Sequence, residues 1–314
     1  MLSSEVSSIA QTERNRVPSR WQADLSLAFI AFIWGTTFVI TKNALADIST
    51  IYFLALRFGL GTICMLPLLL RGNRSPGQSL WRGLLSGAVP GVFLWLGFIL
   101  QTFGLRSTSA AHSGFLTSLY IVEVPLVSAL LYRKWPRGLE LVGVILAGAG
   151  IVWLTKPPGS EPFHLNGGDL LTIGCAVAFA FQIVVLGHVA QRARVEAVAV
   201  GQIACAAVLS AISLPFEPIQ VRWTSDVIWG LLINGILATA AAFALQTWVQ
   251  KYTSATRAAL IFSLEPVFSL LTATVVGGEP LTLGTLGGGA LILAGIASVE
   301  LKPGRKRDEA EDTQ

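Results

Sequence analysis

Gln101-Thr102-Phe103, followed by Thr108-Ser109-Ala110, recurs later in the chain as Gln246-Thr247-Trp248 followed by Thr253-Ser254-Ala255. Both matches share one offset of 145 residues, the distance from Gln101 to Gln246. The same offset carries Leu146, Ala149, Gly150 and Ile151 onto Leu291, Ala294, Gly295 and Ile296. The repeat predicts that the two halves of the chain fold alike.

The composition indicates the environment in which the repeat folds. Hydrophobic residues make up 53% of the chain, charged residues only 13%, and the mean hydropathy is +0.65. Because a soluble domain carries about a quarter charged residues, this composition predicts a polytopic membrane protein that has the lipid bilayer as a partner. The net charge of +4 does not indicate a nucleic-acid partner, since in a membrane protein the position of the basic residues matters more than their sum.

Ten apolar runs have the length, about 17–25 residues, that crosses a bilayer. Their cores lie at 25–42, 51–70, 83–103, 110–132, 138–155, 168–188, 196–215, 227–249, 257–277 and 282–301. Five spans per copy is an odd number, so the second copy enters the membrane from the opposite side. The predicted fold class is an all-α membrane protein of ten transmembrane helices, arranged as two inverted five-helix repeats around a central cavity.

The basic residues indicate the orientation of these spans. If the start of the chain is cytoplasmic, most of the 22 Lys and Arg residues fall on the cytoplasmic side. The exceptions are Lys42, Arg106, Lys156 and Arg222 outside, and Arg57 within span two. The predicted organisation is a cytoplasmic tail at 1–24, a first repeat at 25–155, a linker at 156–167, a second repeat at 168–301 and a cytoplasmic tail at 302–314.

Span four carries a polar stripe along one helical face, at His112, Leu116, Tyr120 and Glu123. The offset places Arg257, Ile261, Glu265 and Phe268 at the matching positions of span nine. Glu123 and Glu265 lie near mid-membrane, where a carboxylate is costly unless it faces water, protein or a partner. Both are therefore candidate substrate-binding groups, and a purely structural hydrogen-bonding role is the alternative.

Each of these two spans also contains a proline. Pro125 follows Glu123, and Pro266 follows Glu265 directly, although the offset does not align the two prolines. Because proline bends a membrane helix, both are candidate hinge residues. His112 lies about one turn from the outer end of its span, where a gating role at the mouth or at the interface is expected, and a proton relay is the alternative.

Further candidates for substrate contact are polar or bulky side chains on other spans. They are Trp34, Thr37, Trp95, Ile99, Phe181, Gln182 and Gln246. Apolar walls with a few amide and hydroxyl groups suit an amphipathic small molecule, and packing between helices is the alternative for the aromatic members. For Arg57 we expect a structural role, either reaching the outer interface or pairing with a carboxylate. The glycine-rich spans five and ten are expected at an interface, either between the repeats or in a homodimer.

Several enzyme classes leave no signature in the chain. There is no phosphate-binding loop for ATP, no HExxH motif and no Gly-x-Ser-x-Gly elbow. The three histidines lack metal-ligand spacing, so neither a metal nor another cofactor is expected. An intramembrane hydrolase with a serine near His112 is a remote alternative, and a sensor or scaffold would need partner domains that the short charged tail does not supply.

Several motifs of the chain resemble those of a known family. Trp34-Gly35-Thr36, Ala55-Leu56-Arg57-Phe58, and Thr253-Ser254-Ala255 leading into Ser263-Leu264-Glu265-Pro266-Val267 are similar to motifs of the drug/metabolite transporter superfamily, in its EamA-type branch. The resemblance covers residues from about 25 to 301 and includes the YddG-like amino-acid exporters.

The resemblance implies a function and a location. It implies a secondary transporter or uniporter, and not an enzyme, that exports amino acids or related small metabolites across a bacterial cell inner membrane. Spans one, three, four, six, eight and nine would surround the cavity. A multidrug or other-metabolite exporter of the same fold is the alternative. Glu123-Val124-Pro125 departs from the Glu-Pro of span nine, so equivalent roles for the two carboxylates do not follow.

Overall fold

The computed structural model describes residues 18–71, 79–108, 110–133, 135, 138–155, 166–277 and 283–300. The predicted C-terminal tail, most of the N-terminal tail and most of the predicted linker lie outside the described residues. The described part is built from helices, and its one β-bridge joins Ile48 to Val221 in two loops.

The helices of the first half are α1 (Arg20–Ala44), α2 (Thr50–Arg71), α3 (Leu80–Ser107), α4 (Ala110–Thr117), α5 (Tyr120–Tyr132) and α6 (Leu139–Thr155). Those of the second half are α7 (Gly167–Ala190), α8 (Val195–Ser213), α9 (Ser225–Leu232), α10 (Ala242–Gln250), α11 (Ala255–Phe262), α12 (Glu265–Gly277) and α13 (Leu283–Glu300). A π-helical segment, Ile233–Ala241, joins α9 to α10.

Helix boundaries recur along the chain at the offset found in the sequence. Helices α4 and α5 begin 145 residues before α11 and α12, which are also of the same lengths, 8 and 13 residues. Side-chain caps start α1 at Ser19, α3 at Ser79, α7 at Asn166 and α11 at Ser254, where each accepts a hydrogen bond from a backbone N–H of the first turn.

Eight stretches of helix in the described part of the chain are long and apolar enough to cross a membrane. They correspond to predicted spans one to four and six to nine. Where spans five and ten were predicted, the structure has shorter apolar stretches, Leu141–Gly150 and Leu286–Gly295, within α6 and α13. The prediction of a multi-pass membrane protein is therefore confirmed as a bundle of apolar helices, with eight long stretches in the described part instead of ten.

Spans four and nine are present as predicted, but each has one interruption that was not predicted. Span four is interrupted at Ser118–Leu119, between α4 and α5, and span nine at Ser263–Leu264, between α11 and α12. The two interruptions fall at equivalent positions of the repeat and have the same sequence, Ser-Leu. Pro125 lies inside α5, beyond the interruption, while Pro266 occupies the first turn of α12, where a missing N–H removes no helical bond.

The π-helical segment distinguishes the second half from the first. Its counterpart in the first half lies inside the continuous helix α3. A π-helix makes a wider turn than an α-helix and occurs mostly at functional sites. In this protein the segment provides acceptors for Trp34, Thr41 and Arg57, which belong to α1 and α2.

Close helix packing depends on glycine at two crossings. A Cβ on Gly87 of α3 would lie 2.3 Å from the carbonyl oxygen of Val198, and one on Gly201 of α8 would lie 2.3 Å from that of Leu84. At the second crossing, Gly150 of α6 meets the backbone of Gly288 in α13, and Gly295 meets that of Gly143. The glycine-rich helices thus pack against each other within one chain.

Candidate functional site

One cavity lies where helices of the two halves meet, around the interruptions of spans four and nine. The cavity and its opening together have about 600 Å³ of atom-free space. The centre of a water molecule can occupy about 50 Å³ of it. The lining residues are Trp34, Thr37, Phe38, Thr41, Arg57, Phe98, Gln101, Thr102, Leu105, Thr117, Tyr120, Phe179, Gln182, Ile183, Phe243, Gln246 and Glu265.

The two halves line the cavity with equivalent residues. Most lining positions form pairs separated by the offset of the repeat, namely Trp34 with Phe179, Thr37 with Gln182, Phe38 with Ile183, Phe98 with Phe243, Gln101 with Gln246, and Tyr120 with Glu265. A site built in this way lies near the axis that relates the halves, as transporter sites at repeat interfaces do.

The hydrogen bond between Tyr120 and Glu265 marks this axis. The Tyr120 hydroxyl donates to Oε2 of Glu265 at 3.1 Å, and the two residues are each other's counterparts, 145 positions apart. Both side chains are buried, with 2% and 4% exposed. Each is also the first residue after a helix interruption, so the N-terminal ends of α5 and α12 both lie at the cavity, where their dipoles favour negative charge.

Several polar groups of the cavity are already satisfied inside the protein. Trp34 Nε1 donates to the carbonyl oxygen of Ala238 at 2.9 Å, and Gln101 Nε2 donates to Thr117 Oγ1 at 3.1 Å. Gln182 belongs to a chain in which its Nε2 donates to Gln202 Oε1. These bonds fix the walls of the cavity and leave few polar groups for a ligand.

Gln246 is a polar side chain at the cavity whose amide atoms are both unsatisfied among the described residues. Its relative exposure is 0%, and neither Nε2 nor Oε1 has a hydrogen-bond partner among the described residues. Burial of an amide without partners costs about 1–3 kcal/mol. Because such a cost is rarely retained without a use, the amide is a candidate to donate to and accept from a bound molecule.

Six of the sequence-predicted contact residues line the cavity, and four do not. Those in the lining are Trp34, Thr37, Tyr120, Gln182, Gln246 and Glu265. Trp95 and Ile99 instead pack against the apolar core between α2, α3 and α8. Phe181 stacks on Phe93 with ring centroids 5.1 Å apart, and Glu123 lies outside the lining with Oε2 buried. The side chain of His112 is outside the described part.

Sequence reasoning missed several lining residues, and Arg57 is the most consequential of them. Its side chain neither reaches the interface nor pairs with a described carboxylate, contrary to both expected structural roles; it is 3% exposed and faces the cavity. The offset of the repeat could have identified Gln101, because it is the counterpart of Gln246, which was predicted. Phe98 and Phe243 are counterparts of each other at the same offset. In the described part, no cluster of three His, Cys, Asp or Glu side chains offers a metal site.

Polar contacts join the two halves at both ends of the bundle. At the end where α1 begins, Arg257 of α11 binds Asp24 of α1 through Nε at 2.9 Å and Nη2 at 2.6 Å. At the other end, Asp47 accepts from Thr224 at 2.9 Å and pairs with Arg222. The cavity therefore lies between two sets of polar contacts, both of which join the halves.

Comparison with known proteins identifies relatives along the whole bundle. A sequence model described as the EamA-like transporter family matches residues 21–156 and again 166–300. An uncharacterized transporter of Archaeoglobus fulgidus is 34% identical over 298 residues, covering 95% of this chain and 92% of its own. The transporter YoaV of Bacillus subtilis is 23% identical and covers 87% and 94%. A solved crystal structure has a TM-score of 0.71, with 24% identity over 90% of this chain and 98% of the other, which shows a shared fold.

Proposed function

The chain belongs to the EamA-like transporter family, and from this premise we propose that it exports amino acids or related small metabolites across the bacterial inner membrane as a secondary transporter or uniporter. Family membership makes it a membrane transporter with a small-molecule substrate; the substrate class, the direction and the membrane are the proposal. The observation that carries it is the cavity whose lining residues are equivalent in the two halves.

The proposed mechanism is alternating access between two inverted repeats at 25–155 and 168–301. The fifth and tenth spans complete the repeats as the shorter helices α6 and α13. Equivalent residues on either side of the cavity allow one half to rock against the other around a fixed site. The distribution of basic residues supports cytoplasmic termini, which places the Asp24–Arg257 pair on the cytoplasmic side and Asp47 on the outer side.

Uptake of labelled amino acids into proteoliposomes tests the proposed function. We expect saturable uptake by the purified chain, measured with and without an imposed proton gradient. Uptake without the gradient indicates a facilitator, and uptake that requires it indicates proton coupling. Saturable uptake of cationic drugs with no amino-acid uptake in either condition would contradict the proposed substrate class and favour the multidrug alternative.

Replacing Gln246 with leucine should separate stability from transport. Since the amide has no described partner, Gln246→Leu should raise the free energy of unfolding in detergent by about 1 kcal/mol and lower transport at least tenfold. The matched control is Gln202→Leu, which removes a buried amide that bonds to Gln182 and Thr247. This control should lose about 1–3 kcal/mol of stability. Loss of stability in both variants would assign Gln246 a structural role.

The ion pair between Asp24 and Arg257 should hold the cytoplasmic side closed. In a chain with Cys64, Cys175 and Cys205 replaced by alanine, a cysteine introduced at Thr37 reports access to the cavity. Asp24→Ala should raise its labelling by a membrane-impermeant maleimide from the cytoplasmic side about tenfold, because a charged, partly buried pair contributes about 1.5–3 kcal/mol.

Two controls accompany the labelling measurement. Glu196→Ala removes the partner of Arg194 on the same side, at 3.6 Å, without separating the halves, and should leave the labelling rate unchanged. The double variant Asp24→Arg with Arg257→Asp re-forms the pair with exchanged charges and should restore slow labelling. Equal labelling of Asp24→Ala and the parent chain would show that this pair does not restrict access.

A further inference from the structure

Arg57 places a positive charge inside the bundle, about two turns from the start of α2. Its side chain is 3% exposed and lines the cavity. A charged group within a membrane protein is costly unless it is neutralised or faces water, and it usually marks a functional site. The partners of Arg57 therefore decide whether its charge serves the fold or a ligand.

The described partners of Arg57 do not neutralise it. Nε donates to Thr239 Oγ1 at 2.9 Å, and the guanidinium carbon lies 4.2 Å from the centre of the Phe98 ring. No carboxylate of the described residues lies within ion-pair distance. Of the five N–H donors of a guanidinium, one is used in these contacts, and the ring contact leaves the cation without a counter-ion.

The same cavity carries one carboxylate, Glu265, of which only Oε2 is bonded to a described residue. The same lining includes the aromatic rings of Trp34, Phe98, Phe179 and Phe243 and the unsatisfied amide of Gln246. A ligand that matches this lining has one negative group, one positive group and an apolar part. A zwitterionic α-amino acid has this composition.

We propose that Arg57 binds the carboxylate of the transported molecule and that Glu265 faces its ammonium group. This inference rests on the proposed function and assigns the charge recognition within its site. The planar guanidinium fork matches a carboxylate in a bidentate manner. A phosphate monoester would also fit the fork, but its charge of about −2 would leave a net negative charge beside Glu265; the carboxylate leaves the occupied cavity neutral.

The first test uses the unaltered protein with matched ligands. L-leucine, L-phenylalanine and L-threonine are compared with their α-amides, which keep the ammonium group and lose the negative charge, and with O-phosphoserine. We expect each transported acid to compete for uptake at least 30-fold better than its amide, the factor that corresponds to loss of a buried charge pair. Equal competition by acid and amide would overturn the proposal without any variant being made.

The second test assigns the preference to Arg57. Arg57→Gln should reduce the preference for acid over amide below threefold, whereas Arg57→Lys, which keeps the charge without the fork, should retain part of it. The control Arg106→Gln changes an arginine outside the cavity that bonds Thr50 and should leave the preference unchanged. Retention of the full preference by Arg57→Gln would overturn the assignment, and so would stronger competition by O-phosphoserine than by the acids.

The two proposals fail in different ways. If the unaltered protein takes up no amino acid, the proposed function fails, and the inference fails with it. If it takes up amino acids but Arg57→Gln retains the acid preference, the function stands and only the role of Arg57 is wrong. Should Arg57→Gln not fold, the amide comparison and the thermal stabilisation of the unaltered protein by acid but not by amide still decide the question.

Discussion

Replacing Glu265 with alanine should reduce saturable transport at least 100-fold while the protein remains folded. The carboxylate lines the cavity and accepts a hydrogen bond at 3.1 Å from the hydroxyl of Tyr120, its counterpart in the other half. Removing a buried charge that recognises a ligand costs about 3 kcal/mol or more, which corresponds to this factor. Uptake into proteoliposomes and thermal unfolding in detergent measure the two expectations separately.

Two further variants make the Glu265 result specific. Glu123→Ala removes a carboxylate of similar depth that lies outside the cavity and should reduce transport less than threefold. Glu265→Gln keeps the shape of the side chain; if Glu265 carries a proton, this variant loses the response to an imposed proton gradient. Transport by Glu265→Ala within threefold of the parent protein would show that the carboxylate is structural.

The second large effect concerns folding. Gly87→Ala and Gly201→Ala should each lower the free energy of unfolding by about 3 kcal/mol, and the double variant should not accumulate in the membrane. Each added Cβ would meet a backbone carbonyl oxygen at 2.3 Å, and a backbone oxygen cannot move without shifting its helix. Expression level and thermal unfolding of the purified variants measure the effect.

The control for the glycine variants is Gly59→Ala in α2. A Cβ at this position meets no described atom within 4 Å outside its own helix backbone, and the substitution favours the helix by about 0.5–1 kcal/mol. Its stability should therefore equal or exceed that of the parent protein. Unchanged stability of Gly87→Ala would mean that α3 and α8 have room to separate, and that the close crossing does not hold Phe98 and Gln101 at the cavity.

The sequence predicted the helices, and the repeat offset identified Tyr120 and Glu265 as equivalent positions, but the faces of the helices were predicted less well. In water an apolar stripe marks the buried face, but in a membrane the face toward lipid is apolar as well. Trp95 and Phe181 could therefore not be distinguished from Trp34 by hydrophobicity, although only Trp34 lines the cavity. The offset of the repeat was the stronger guide, because equivalent positions share their surroundings.

The positions of the helix interruptions were not predicted from the sequence. Proline was the signal for a bend, yet span four is interrupted at Ser118–Leu119, six residues before Pro125. Neither residue is a helix breaker by type, and both copies carry the same Ser-Leu pair. The Ser118 and Ser263 hydroxyls donate to backbone carbonyls of the preceding turn, which competes with the regular helical bonds. The π-helical segment likewise has no residue pattern that identifies it.

The role of Arg57 could not be predicted because it depends on an absent contact. A sequence shows that a cation lies within a span, and general experience then favours an ion pair or escape to the interface. Only the fold shows that no described carboxylate lies within ion-pair distance of Arg57 and that Thr239 and Phe98 contact its guanidinium. An unpaired charge can be recognised only when the positions of its neighbours are known.

The π-helical segment Ile233–Ala241 has a consequence for resting occupancy. In the proposed alternating access, identical halves would give inward-facing and outward-facing forms of equal free energy, and an idle transporter would divide its time evenly between them. Among the described residues the wide turn occurs in the second half alone, where it accepts hydrogen bonds from Trp34, Thr41 and Arg57, so the two forms differ in free energy. A gap of about 1.4 kcal/mol already gives a ratio of ten to one. In the proposed mechanism the idle protein is therefore open more often to one compartment, and a substrate in that compartment meets a vacant site more often than one in the other.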